Sequence, residues 1–209
     1  MTEANARADT PLLQRPLKVF ISYARRDHKF VDWLDNNLRS HGLETLVDRK
    51  SIEKFADWWE RIEQLIVQSD AVVCVLSKAM AKSAVARREV DFAVYCNKRL
   101  APLVIEDVAD HKTPDALKRL NYVFARKRDN RDAAFGDLMN GLQADIEWVR
   151  EHTRLSELTH LWALKEKSSD LLLRGAELET AEAWIATPRT SMPLASDLQR
   201  VFVSVSRTE

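Results

Sequence analysis

The chain has 209 residues, 45% of them apolar and 31% charged, and its basic and acidic side chains balance to zero net charge. That length buries a core without disulfide or metal staples, and the absence of a basic excess argues against nucleic acid as a partner. Two cysteines and five histidines show no metal-ligand spacing, no apolar stretch reaches the ~20 residues that span a bilayer, and Met1–Pro16 has no apolar core of signal-peptide length, so the expected location is the cytoplasm.

Residues 1–16 are polar with two prolines and read as a flexible leader. Leu17–Tyr23 is an apolar, β-branched strand candidate. Asp27 then caps a helix whose Phe30, Val31, Leu34 and Leu38 recur at helical spacing, and Gly42 ends it. A short strand over Leu43–Val47 and a polar loop from Asp48 to Ala56 come next, then a helix over Asp57–Gln68 with Trp58, Ile62, Leu65 and Ile66 on one stripe. Ala71–Leu76 is continuously apolar, which suits a central parallel strand covered on both faces, with Cys74 as a small core residue. A helix over Lys78–Asn97 leads to a fourth strand at Leu100–Ile105, where Pro102 suggests a place near the sheet edge or the strand start. A short helix at Pro114–Leu120, a strand at Tyr122–Ala125 and one long helix from Asp132 to Glu151 complete this part.

Strands alternating with helices imply a parallel sheet with right-handed crossovers. The fold class expected is α/β, a flavodoxin-like five-stranded parallel sheet of order 2-1-3-4-5 with helices on both faces. It occupies residues 17–152. Residues 153–209 read as a helical C-terminal extension, with helices at Leu155–Lys167 and Leu171–Ala186, a linker at Pro188 and Pro193, and a last helix at Ser196–Ser206. The extension carries no recognisable chemistry.

Four segments in order carry a family resemblance. Phe20-Ile21-Ser22-Tyr23-Ala24-Arg25-Arg26-Asp27 resembles the first-strand signature of TIR (Toll/interleukin-1 receptor) domains, and Gly42–Asp48 resembles their second strand with its terminal aspartate. Trp58–Ser77 looks like the following helix and third strand, and Ser83–Leu100 like the helix that carries the family's catalytic glutamate. The tail, with Arg150-Glu151-His152-Thr153-Arg154-Leu155, resembles segments that follow TIR domains in large multidomain bacterial proteins. The resemblance implies an NAD⁺ glycohydrolase that yields nicotinamide and a linear or cyclic ADP-ribose, acting in signalling or defence after self-association with other TIR domains. NAD⁺ is then the substrate, and no cofactor or metal is implied. The chain departs from the family at Val85, where a tryptophan is common, and at Lys54-Phe55, where Pro-Gly is common.

Ligand sites in open α/β sheets lie beyond the carboxyl ends of the strands. Arg25 and Arg26 follow the first strand, Asp48 and Trp58 the second, and Ser83 and Glu89 the third, so all six converge on one edge. Glu89 has Val85, Phe92 and Ala93 as its helical neighbours and sits on a mainly apolar stripe, where burial would raise its pKa. By resemblance it matches the catalytic glutamate; the competing reading is a surface glutamate paired with an arginine. One carboxylate suffices chemically, because nicotinamide leaves as a neutral molecule and only the positive ribosyl centre needs stabilising. Arg25 and Arg26 can grip a pyrophosphate or simply face solvent. Trp58 can stack on a base or belong to the core, Asp48 can serve the site or close a loop, and Ser83 can cap the helix or meet the ribose. Only four glycines, none clustered, exclude a Rossmann fingerprint or P-loop for any nucleotide. Two other readings stand beside the enzyme: a non-catalytic TIR interaction module, and a nucleoside ribosyl-transferring enzyme of similar fold. A phosphoacceptor receiver domain is excluded by Leu76-Ser77 and Ala24-Arg25-Arg26, where that chemistry needs acids.

Overall fold

The computed structural model describes residues 15–48 and 56–209, with only the backbone of Ala56 and Asp57; most of the leader and the departure at Lys54-Phe55 lie outside the described residues. Five strands form one parallel sheet of order β2-β1-β3-β4-β5: β1 Lys18–Ser22, β2 Glu44–Leu46, β3 Ala71–Leu76, β4 Arg99–Val104 and β5 Val123–Phe124. Every residue of β3 is buried, as its unbroken apolar run demands. Alternation along β1 and β3 divides the core between two faces. Val19, Ile21, Val73 and Val75 meet helices α1 (His28–Ser40) and α4 (Arg131–Gln143) through Leu34, Leu38, Leu138 and Leu142. Phe20, Val72, Cys74 and Leu76 meet α2 (Ala56–Gln68) and α3 (Ala84–Tyr95) through Ile62, Ile66, Ala86 and Val90. Each fully buried Leu or Ile contributes about 2 kcal/mol.

Several local expectations are corrected. Asp27 stands before α1 but makes no cap bond; its carboxylate instead accepts from Ser77 Oγ at 2.6 Å and ties the loop after β1 to the end of β3. Gly42 does end α1: at φ +82° it lets Leu43 N reach Leu38 O and Gly42 N reach Arg39 O. The helix expected from Lys78 starts only at Ala84, after a 3₁₀ turn at Met80–Lys82, because Ser83 caps it there. β4 does lie near the sheet edge, as Pro102 suggested, with only the two-residue β5 beyond it. Ile105 N bonds to Leu76 O, so by alternation Pro102's nitrogen faces the β5 side, where β5 pairs only with Leu103 and Val104. Residues 114–120 form successive i→i+3 turns rather than a helix, with Leu117 fully buried.

The long helix expected from Asp132 to Glu151 is two helices. α4 stops at Gln143, where Arg99 Nη1 donates to the free carbonyls of Gly141, Leu142 and Ala144. Asp145 turns the chain at φ 48°, held by Arg189 at 2.7 Å, and α5 then runs without interruption over Ile146–Leu164. The boundary expected between residues 152 and 153 therefore falls inside α5. That helix packs on α2 and joins α6 (Gly175–Ala186) and α7 (Asp197–Thr208) around a core of Leu155, Trp162, Trp184 and Phe202. Arg15, at the chain's entry, clamps Asp70 with two 2.7 Å bonds. No helix among the described residues is long and apolar enough to cross a membrane.

Candidate active site

The carboxyl ends of β1, β2 and β3 surround a cavity of about 300 Å³ lined by Ile21, Tyr23, Arg25, Asp48, Trp58, Ser83, Val85 and Glu89. Five of the six residues singled out from sequence thus meet in one place. Arg26 does not line it; like Arg25 it is an exposed residue of the 3₁₀ turn at Arg25–Asp27. Trp59, next to Trp58, instead packs against Phe92 and carries the Arg88 guanidinium 3.6 Å over its ring.

Glu89 lies midway along α3 and is only 6% exposed. Burial pushes its carboxyl up to about 7, the Ser22 hydroxyl draws it down, and the nearby Asp48 carboxylate raises it further. Ser22 Oγ donates to Glu89 Oε2 at 2.6 Å. Among the described residues no lysine or arginine pairs with Glu89, so the competing reading of an arginine-paired surface glutamate does not describe this side chain. Asp48 is held at the end of β2 by Trp58, whose Nε1 donates to Oδ2 at 2.9 Å. That bond turns the indole toward the cavity rather than leaving it wholly in the core. Tyr23 reaches the Asp48 carbonyl at 3.4 Å.

Ser83 both lines the cavity and caps α3, accepting from Ala86 N at 3.2 Å. Ser83→Ala is expected to lower stability by about 1 kcal/mol, read as a shift of the urea midpoint at unchanged m-value. An unchanged midpoint would mean the cap carries nothing.

Ser22 and Tyr23 were not singled out from sequence. The signal for Ser22 was present: it shares the parity of Phe20 and therefore faces α3, on the same side as Glu89. Val85, the departure from the family, forms part of the cavity wall and is 39% exposed. No group of metal-binding side chains occurs among the described residues.

A family model described as TIR domain matches residues 19–139. The TIR domain of the Toll-related receptor TRR-2 from Hydra magnipapillata is similar in structure at 20% identity, covering 60% of this chain and 97% of that one with a TM-score of 0.51. A prokaryotic SEFIR domain is similar at 23% identity, 62% and 94% coverage and a TM-score of 0.49. The CMP N-glycosidase BcmB of Clostridium botulinum is similar at 14% identity, 59% and 98% coverage and a TM-score of 0.44. None of the curated proteins matches the chain in sequence.

Proposed function

The chain belongs to the TIR domain family, and from that premise we propose that it is an NAD⁺ glycohydrolase, with Glu89 as its acting carboxylate and self-association as its switch. The single observation behind this reading is a buried glutamate, without a cationic partner among the described residues, lining a cavity at the carboxyl edge of the sheet. In the reaction the bond between nicotinamide N1 and ribose C1′ breaks, and its electron pair neutralises the pyridinium. The ribosyl carbon becomes positive, and ionised Glu89, itself largely shielded from solvent, stabilises it. Water then adds to C1′ and gives up its proton, which Glu89 is basic enough to take. Trp58 offers an indole face to the cationic ring, Arg25 at the mouth suits the pyrophosphate, and Asp48 and Ser83 suit ribose hydroxyls.

The test is nicotinamide release from NAD⁺, measured at high protein concentration and on a surface that forces clustering. Release that depends on Glu89 carries the reading; none under clustering overturns it. The pH dependence adds a second check. A carboxyl that must be ionised makes kcat/KM rise with pH and level off above about 7. The bound substrate's positive charge favours the ionised form, so the corresponding limb of kcat is expected at lower pH. A flat profile between pH 5 and 8 contradicts the assignment of Glu89.

One observation favours the non-catalytic reading. Trp59, Phe92 and Tyr95 form an aromatic run along α2 and α3, with Tyr95 76% exposed, a composition suited to protein contact. Association unaffected by Glu89→Ala, with no turnover, would select it.

A further inference from the structure

We propose that Ser22 is the positioning residue of this site: its buried hydroxyl holds one oxygen of Glu89 and leaves the other to the cavity. The inference rests on the reading of Glu89 as the acting carboxylate. Ser22 is the last residue of β1 and has no exposed surface. Its Cα register partner on β3 is Cys74, another fully buried side chain. Near Glu89 the sheet thus offers Cys74, whose thiol is a weak donor, and Ser22, whose hydroxyl can solvate a charge. The 2.6 Å bond from Ser22 Oγ to Oε2 is short, as charge-assisted O–H···O⁻ bonds are.

Two consequences follow from that geometry. A carboxylate gripped at Oε2 has its terminal torsion fixed, so Oε1 is presented to C1′ in one orientation rather than an ensemble. The donor also favours the charged form against burial, the direction in which Ser22 acts on Glu89. Without it, Glu89 would titrate higher and a smaller fraction of it would be ionised at neutral pH. Ser22 touches no substrate in this arrangement; it works through Glu89.

The test uses the full chain with Ser22→Ala, Ser22→Thr and the double variant Ser22→Ala/Glu89→Gln. Two measurements are made on each: the pH profile of kcat/KM for nicotinamide release, and the pH dependence of thermal unfolding. In Ser22→Ala the acid limb is expected to move up by about one pH unit, the size of one lost hydrogen bond to a charged group. Ser22→Thr, which keeps the hydroxyl, is expected to restore the limb. The same upward shift is expected in the unfolding titration, and it should vanish in the double variant. A limb at the same pH in Ser22→Ala and the native chain overturns the proposal, as does a titration shift that persists without Glu89. Failure of the NAD⁺ reading is recognised separately: no variant would release nicotinamide, while the unfolding titration would still report whether Ser22 tunes Glu89.

Discussion

Glu89→Gln is expected to cut nicotinamide release by about a thousandfold and, at pH 8, to make the protein more stable than the native chain. The first effect removes the charge assigned to the positive ribosyl centre. The second follows from linkage. Burial raises the Glu89 carboxyl to about 7 in the folded protein, from its ordinary value of 4.5 in the unfolded chain. The folded state therefore holds this proton more tightly, and the stability that comes with it is fully present below 4.5. It declines as pH rises and is lost above about 7, an amount on the order of 3 kcal/mol for a shift of this size. Glutamine keeps an acceptor for Ser22 Oγ but never ionises, so it escapes that loss. Urea unfolding at pH 8 should show the variant ahead by up to about 3 kcal/mol, and at pH 4 the two should coincide. A variant that is less stable at pH 8 would mean that Glu89 is a structural acceptor. A variant that is more stable yet fully active would separate burial from function.

A group that costs stability when ionised is where function is to be sought, because folding alone would select glutamine or an apolar residue. Sequence reasoning could see the preconditions of this strain but not its amount. The apolar neighbours of Glu89 at helical spacing gave its burial, and the unbroken run of β3 gave the sheet centre. Strand order followed from alternation and handedness, and with it the edge on which Arg25, Asp48, Trp58, Ser83 and Glu89 meet. What sequence could not give were features set by partners remote along the chain. Asp145 breaks a helical pattern because Arg189 and Arg99 secure the two ends it creates. Asp27 gives up a helix cap for Ser77, fifty residues away. Arg26 and Arg25 are equivalent in sequence, and in the fold only Arg25 lines the cavity. Ser22 became visible once α3 was docked on the face that Phe20 defines.

Acidification below pH 6.5 is expected to weaken the joint between the sheet and the tail helices, through His152. This side chain lies on α5 with no exposed surface, and among the described residues neither ring nitrogen has a hydrogen-bond partner. Trp184 of α6 lies 5.9 Å from the ring, while Gln199 of α7 binds the His152 carbonyl rather than the imidazole. Among the described residues the charged group that acts on it is Lys98, which is itself buried and donates to the carbonyls of Val67 and Ser69 at the end of α2. Burial first, and the Lys98 cation second, hold His152 well below its ordinary range. A depressed histidine is neutral in the fold, so its contribution is intact above the unfolded value of 6.5. As pH falls further, the unfolded chain gains a proton that the folded one refuses, at about 1.4 kcal/mol per pH unit. The loss grows as pH falls below 6.5, until the folded imidazole itself takes up the proton. Lys98 itself, drawn down to about 8, acts in the separate window between there and 10.5. Glu89 works in the opposite direction over part of the acid range, so the observable is the difference between the native chain and His152→Leu. That difference should grow in the variant's favour as pH falls below 6.5. Parallel stability curves would show that the imidazole is hydrated or bonded in solution. A diverging pair would make this junction acid-sensitive, with α2, which carries Trp58 at its other end, as the element that links the tail to the cavity.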